Sequence, residues 1–204
     1  MQSKPYFKVS KGNSKLGNIT NINLPAGITC ACNAPCKKEC YALKGTYNFR
    51  CVKKRYQENL KAYQDDHNQA FIDIAGQLPK ESNKQIYVRY HSSGDIVDYY
   101  YFIKMIELAN IRRDIKFLAF TKKYDIINEY LKVGGTIPYN LKIVFSTWIG
   151  YDCQNFDNLP VAQIAEFYDK SNSPYAEYKC FGSCSECKRC WHLEKGEGVL
   201  FHQH

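Results

Sequence analysis

The chain has 204 residues, of which 45% are hydrophobic and 15% aromatic, so it can bury a substantial core. This composition excludes an intrinsically disordered protein. The formal net charge of +8 permits a phosphate-bearing partner without requiring one, because scattered surface lysines explain the same number.

The sequence predicts a cytoplasmic protein with no membrane partner. The segment from Met1 to Gly12 is polar and contains lysines, without the apolar stretch of a signal peptide. No segment is apolar over the length of a transmembrane helix. We expect a single domain over residues 1–204: an N-terminal cysteine loop (1–51), a βα core (52–170) and a C-terminal cysteine-rich segment (171–204).

The first half of the chain predicts one extended piece and one long helix. Weak alternation from Asn18 to Gly27 is typical of a short extended segment closed by a turn. Apolar residues spaced by three and four predict an amphipathic helix from about Val52 to Gln77.

Strands and helices then alternate. We predict strands at Gln85–His91, Ile115–Thr121 and Leu141–Thr147, and helices at Ile96–Arg113 and Tyr124–Val133. Two later segments are weaker: 161–168 fits a strand or a helix, and 199–204 fits a terminal strand.

The pattern predicts an α/β fold. The three central strands are apolar on both faces, which is typical of parallel strands covered by helices, and the alternation with helices favours right-handed βα units. A complete eight-stranded barrel needs about 250 residues. We therefore expect a partial or open (β/α) barrel with parallel strands, or a flavodoxin-like sheet, with cysteine-rich metal-binding segments at both ends.

Eight of the ten cysteines fall in two short runs. The first run is Cys30, Cys32, Cys36 and Cys40, and the second is Cys180, Cys184, Cys187 and Cys190. Soft thiolates at this density favour metal over a disulfide framework. Structural zinc sites usually combine two pairs separated by a dozen or more residues, whereas each run here is compact. We predict one or two [4Fe–4S] clusters, with zinc as the alternative, and leave open which of Cys30 and Cys32 is a ligand.

Polar side chains follow the predicted strands, where parallel α/β proteins gather their chemistry. The predicted catalytic residues are His91, Ser93 and Asp95. The predicted cofactor-binding residues are Tyr41, Ser93, Gly94, Asp95, Thr121, Lys122 and Ser146. The alternatives are that Asp95 caps the following helix, that His91 is a core histidine and that Lys122 lies at a solvated helix entrance.

The motifs together resemble the phage family called gene product eighty-eight. They are Asn13–Gly17, Leu24–Gly27 followed by Cys30, Cys36 and Cys40-Tyr41-Ala42, then Val88–Asp95, Cys184, Cys187 and Cys190-Trp191, and a closing Val199-Leu200-Phe201 with a histidine. More distantly, the cysteine loop followed by βα units is similar to radical S-adenosylmethionine enzymes, including the spore photoproduct lyase type. That second resemblance implies that Cys30, Cys36 and Cys40 hold a cluster, with Cys32 an extra, and that Ser93, Gly94 and Asp95 stand near S-adenosylmethionine.

The predicted function is that of an iron–sulfur protein of phage type, acting in the host cell cytoplasm. We expect a radical S-adenosylmethionine-like enzyme whose substrate is a nucleotide or nucleic acid. The alternatives are a non-enzymatic, zinc- or iron–sulfur-stabilised module that binds nucleic acid, and a one-electron carrier. Three thiolates with an open iron favour the enzyme, and a closed set of four favours the others.

Overall fold

The structure, a computed structural model, describes residues 6–37, 39–80, 82–148, 151–165 and 173–202. The strands are β1 (Thr20–Ile22), β2 (Ile86–Tyr90), β3 (Ile115–Thr121), β4 (Leu141–Trp148), β5 (Val161–Ala165) and β6 (Gly198–His202). The helices are α1 (Arg50–Asp65), α2 (His67–Gln77), α3 (Tyr99–Ile111), α4 (Tyr124–Lys132) and the short α5 (Cys184–Cys187). None of the helices in these ranges is long and apolar enough to cross a membrane.

The six strands form one parallel sheet in the order β1-β2-β3-β4-β5-β6. Across the described strands, β1 and β6 do not pair with each other, so the sheet is open. This confirms the predicted α/β class with a parallel, unclosed sheet. A flavodoxin-like sheet would reverse its strand order near β1, whereas here each strand lies beside its sequence neighbour, as in a partial barrel.

Both faces of the sheet are covered, which explains why its strands are apolar throughout. Helices α1 to α4 pack on one face, against residues such as Val88, Phe117 and Ile143. On the opposite face, Leu118, Val144 and Ala162 are covered by the N-terminal Leu16 and Ile19 and by the C-terminal Trp191 and Leu193.

The long helix predicted from Val52 to Gln77 is wrong in one respect, because it divides at Asp66. The Asp66 backbone is extended, and its carboxylate accepts a hydrogen bond from the Gln69 backbone N–H at 2.9 Å. Asp66 is thus the N-cap of α2. An acidic residue three positions before a glutamine is close to the capping-box pattern, so the sequence contained a signal for this break.

The helix predicted from Ile96 begins later, at Tyr99. Its N-cap is Asp98, whose Oδ1 accepts from the Tyr101 backbone N–H at 2.8 Å. Asp95 therefore does not cap α3, which removes the alternative explanation of that residue.

The two weak predictions at the end of the chain are both strands where the structure describes them. The first is β5, which ends at Ala165, and positions 166–168 lie outside the described residues. The second is β6, and positions 203–204 lie outside them.

Candidate functional site

A cavity of about 440 Å³ opens at the carboxyl ends of the strands. We call it the mouth cavity. Five successive strands line it with Arg89 (β2), Phe120 (β3), Ser146 and Trp148 (β4), Ile164 (β5) and Phe201 (β6). By strand register, Phe120 and Ser146 lie on the same face as the buried Val144 and Ala162. The mouth cavity therefore continues the layer between the sheet and its C-terminal cover.

The N-terminal cysteine loop forms another wall of the mouth cavity. Cys30, Cys36, Cys40 and Tyr41 all line it. The Tyr41 side chain is 42% exposed, but its hydroxyl donates to the carbonyl oxygen of Ser92 at 2.8 Å. Burial of this hydroxyl raises the pKa of Tyr41 to about 12, so it remains a neutral donor.

The segment after β2 holds this loop in place. Ser93 Oγ donates to the carbonyl oxygen of Leu24 at 2.9 Å, and the Asp95 backbone N–H donates to Thr29 Oγ1 at 3.0 Å. Gly94 lies between them at φ +83°, where a Cβ atom would stand 2.7 Å from Thr29 Oγ1 and 2.8 Å from the carbonyl oxygen of Leu24. Only glycine allows so close an approach in this conformation.

Three cysteines of the first run are brought together, and the fourth is not. Cys36 and Cys40 are hydrogen-bonded to each other, which raises the pKa of Cys36 and lowers that of Cys40 to about 6. Burial raises the pKa of Cys30, while a hydrogen bond from the Gly27 backbone N–H to its Sγ, at 3.4 Å, acts in the opposite direction. Cys32 is exposed and does not line the mouth cavity.

The second run lines a separate cavity of about 260 Å³ with all four of its cysteines. Backbone hydrogen bonds fix the run, from Cys180 N to the carbonyl oxygen of Leu200 at 2.9 Å and from Cys184 N to that of Lys15 at 2.8 Å. Burial, followed by the charges of Cys180 and Cys184, raises the pKa of Cys190 to about 12. Cys180, Cys184 and Cys190 also pack against the apolar cluster that contains Trp191.

All ten cysteines are free thiols. Within the described ranges, no group of three or more His, Cys, Asp or Glu side chains is arranged to hold a metal ion. Neither run is thus preformed around a single ion.

Most of the predicted polar residues line the mouth cavity, but two do not. His91, Ser93, Gly94, Lys122 and Ser146 line it, whereas Asp95 and Thr121 lie buried behind its wall. The Asp95 carboxylate accepts from Thr121 Oγ1 at 2.7 Å and from the Lys122 backbone N–H at 2.9 Å. Burial raises the pKa of Asp95, opposed by the Lys122 charge and by these hydrogen bonds. Asp95 therefore joins the ends of β2 and β3.

His91 is a buried residue at the cavity wall. Its backbone has a left-handed φ of 55°, and its Nε2 lies 3.2 Å from the Tyr101 hydroxyl. Burial and the nearby Arg89 charge lower the pKa of His91 to about 3. The imidazole is therefore neutral at physiological pH.

Sequence reasoning missed two cations of the mouth cavity, Lys15 and Arg89. Arg89 carried a signal, since it is the one charged residue inside the otherwise uncharged strand β2. The signal was weak, because β3 and β4 also contain one charged residue each, Lys116 and Lys142, which do not line the cavity. Lys15 carried none, because a lysine in an N-terminal turn is ordinary.

The fold and site define an α/β protein with an open parallel sheet and a cysteine-lined cavity at its strand ends. The family model for Gene product 88 matches residues 6–170. The chain therefore belongs to the Gene product 88 family, which confirms the resemblance to the phage family. The matched region contains the first cysteine run and ends before the second. No curated protein and no solved structure matches the chain, and the similarity to radical S-adenosylmethionine enzymes receives no support from these comparisons.

Proposed function

We propose that this protein is an iron–sulfur enzyme of the radical S-adenosylmethionine kind, acting on a nucleotide or nucleic acid. The observation that carries the proposal is the position of Cys30, Cys36 and Cys40 on one wall of the mouth cavity. No other cysteine of the described chain lines it. Three protein sulfurs on a [4Fe–4S] cluster leave one iron free to bind a ligand, and here that iron would face a cavity.

The donor set fits such a cluster. Cys40 is biased towards the thiolate, the form that binds metal. The pKa values of Cys30 and Cys36 are raised by burial and, for Cys36, first by the hydrogen bond to Cys40, while the Lys122 charge opposes this and favours the anionic sulfurs of a bound cluster. The ligands of a four-iron cluster lie further apart than those of one ion, so cluster binding would separate Cys36 and Cys40, which are hydrogen-bonded to each other here.

Cys30, Cys36 and Cys40 would hold the cluster, and the chemistry it would supply is one-electron reductive cleavage of S-adenosylmethionine to methionine and a 5′-deoxyadenosyl radical, with the electron from an external one-electron donor. The residues of the chain would bind the cofactor and the substrate and orient them. Tyr41, Gly94, Lys122 and Ser146 would contact the cofactor along the cavity wall, and His91 and Ser93 would face the reacting groups. Asp95 acts as a positioning residue, because its carboxylate accepts the backbone N–H of Lys122, whose residue lines the cavity.

For the second run, we propose a closed four-cysteine site, holding an auxiliary [4Fe–4S] cluster or zinc. Its four sulfurs surround one small cavity, and its backbone is tied to β6 and to the N-terminal turn. A metal bound there would stabilise the cover of the sheet.

Anaerobic purification, followed by metal and sulfide analysis, absorption spectroscopy and electron paramagnetic resonance, tests the proposal. We expect brown protein with about four or eight irons per chain, and a resonance of the reduced protein that changes when S-adenosylmethionine is added. Cys36→Ala should abolish that change. Cys32→Ala is the matched control and should preserve it, because Cys32 lies outside the mouth cavity.

Cys187→Ala should lower the metal content or stability while the response to S-adenosylmethionine persists. A colourless protein that contains only about one or two zinc ions per chain would refute the enzyme. That outcome would support the alternative, a metal-stabilised module that binds nucleic acid.

A further inference from the structure

Arg89 is a half-buried cation with no anionic partner in the described residues. Its side chain lines the mouth cavity and lies over Phe120, with the guanidinium carbon 4.8 Å from the ring centroid. Its Nε is buried and has no hydrogen-bond partner. Within the described ranges, no carboxylate lies within ion-pair distance of the guanidinium.

Three other shielded cations of this protein are paired. Lys104, Arg112 and Lys142 have side chains 15%, 18% and 18% exposed, and they contact Glu107, Asp114 and Glu194 at 2.7, 2.6 and 3.8 Å. Withdrawing a charge from water is costly unless an opposite charge compensates it. Arg89 has no such compensation within the described residues, a condition that it shares with Arg189, whose Nε is also buried without a hydrogen-bond partner. Unlike Arg189, Arg89 lines the mouth cavity, which an anion from outside the chain can enter.

Two lysines extend the positive surface around Arg89. Lys15 and Lys122 line the same cavity, with Nζ atoms over the rings of Phe201 and Trp148, at 4.9 and 5.6 Å from the ring centroids. Neither is in an ion pair within the described part of the chain. The acidic residue that lines the cavity, Glu39, is engaged with Lys44 at 2.5 Å.

The charge balance of the cavity favours an added anion. A [4Fe–4S]2+ cluster on three thiolates would contribute a charge of about 2 − 3 = −1. Added to the three cations of the cavity, this leaves a net charge of about +2. The buried Asp95 carboxylate lies behind the wall, where it accepts the Lys122 backbone N–H, and its charge reduces this surplus. A phosphate group supplies the opposite charge, and its oxygens fit the fork of an arginine.

We propose that Arg89, supported by Lys15, binds a phosphate group of a nucleotide substrate in the mouth cavity. The inference rests on the proposed function for the identity of this cavity as the substrate site. It makes Arg89 a specificity-determining residue that separates nucleotides from nucleosides. The rings of Phe201 and Trp148 lie beside Lys15 and Lys122 and offer surfaces on which a base can stack.

Isothermal titration calorimetry of the anaerobically purified full chain tests this inference. The probes are inorganic phosphate, the 5′-monophosphates of adenosine, guanosine, cytidine and thymidine, and the four nucleosides. At least one nucleotide should bind saturably, and its nucleoside should bind at least about tenfold more weakly, because a charged hydrogen-bond pair is lost.

Arg89→Gln should weaken nucleotide binding by about 10–100-fold. The affinity of Arg89→Lys should lie between those of the original protein and Arg89→Gln, because lysine keeps the charge but lacks the forked donors of arginine. Arg113→Gln is the matched control: Arg113 is exposed and does not line the cavity, so binding should not change. Thermal denaturation of each variant shows that it is folded.

Three results would overturn the inference: no saturable binding of any nucleotide, equal binding of nucleotide and nucleoside, or the same affinity in Arg89→Gln and Arg113→Gln. S-adenosylhomocysteine serves as a carboxylate probe, and Arg89-dependent binding of that probe without nucleotide binding would also overturn it. Iron content is measured separately on each sample. Nucleotide binding that persists in iron-free Cys36→Ala supports the phosphate site even where the cluster proposal fails, so the two failures are distinguishable.

Discussion

The two cysteine runs have similar spacing and lie against the same sheet, yet their surroundings differ. The first belongs to a loop at an open cavity, where three sulfurs face cations and polar strand ends. The second joins an apolar cluster around Trp191, and its four sulfurs surround a small cavity of their own. Compact cysteine spacing therefore identifies candidate metal sites, while the layer against which each run packs determines whether the site is open to a ligand.

The two runs are also mechanically connected. The turn from Asn13 to Gly17 contributes Lys15 to the mouth cavity, and the Lys15 carbonyl oxygen accepts the Cys184 backbone N–H at 2.8 Å. A Cβ atom on Gly17 would lie 2.8 Å from Ser185 Oγ, so α5 packs closely on this turn. The second run therefore positions one wall of the cavity that the first run faces.

The largest effect that we expect separates two glycines with nearly the same backbone conformation. Gly94→Ala, beside the first run, combines left-handed strain with a clash against Leu24 and Thr29 and should cost about 4 kcal/mol of unfolding free energy. Gly182→Ala, in the second run, has φ +85° but nothing within 4 Å of the added Cβ. It should cost about 1–2 kcal/mol from strain alone.

Urea denaturation of the anaerobically purified variants measures the difference between Gly94→Ala and Gly182→Ala. Equal losses of unfolding free energy in the two variants would mean that the close contacts at Gly94 do not hold the N-terminal cysteine loop in place.

A pH effect of intermediate size should come from His91 at the first run. The unfolded chain takes up a proton at this histidine below about pH 6.5, while the folded state does so only near its pKa of about 3. The unfolded state binds more protons in that window, so stability falls as pH decreases through it. Between pH 6.5 and 4.5 the loss from His91 should be about 2–3 kcal/mol.

His91→Asn should remove this part of the acid sensitivity, because asparagine tolerates the left-handed backbone and does not titrate. His192→Asn changes the exposed histidine beside the second run, and this variant should retain most of the acid sensitivity. Urea denaturation at several pH values gives the slopes, and a slope unchanged in His91→Asn would contradict the assignment.

Much of the fold was predictable because its elements are locally specified. The strand Ile115–Thr121 was predicted with the bounds that the structure has, since its apolar run ends in a helix-entry signal. The break at Asp66 was missed because apolar spacing continues through it. The spacing alone left Cys30 and Cys32 open as ligands, and the loop conformation places Cys30 and not Cys32 at the mouth cavity. The burial of Asp95 behind the cavity wall was also not predictable, because it depends on contacts with Thr121 and Lys122 at the end of another strand.

The remaining predictions compare the side chains that fasten each run to β2 or to the segment that follows it. For the second run, Trp191 Nε1 donates to the carbonyl oxygen of Val88 at 3.1 Å, in a buried position. Trp191→Phe removes this hydrogen bond and part of a buried ring, and should cost about 2 kcal/mol. Chemical denaturation measures the loss, and a variant as stable as the original protein would show that the cover of the sheet does not depend on Trp191.

For the first run, Tyr41→Phe removes the hydrogen bond to the Ser92 carbonyl oxygen and should cost about 1 kcal/mol. Tyr139→Phe is the matched control, because the exposed Tyr139 hydroxyl also donates to a backbone carbonyl, that of Arg113 at 3.4 Å, and its loss should change stability little. Hydrogen exchange should show the loss in Tyr41→Phe as faster exchange from Cys30 to Lys44, with the second run unaffected. Equal acceleration in both runs would mean that the shared turn at Lys15 couples them more tightly than their separate anchors on β2 imply.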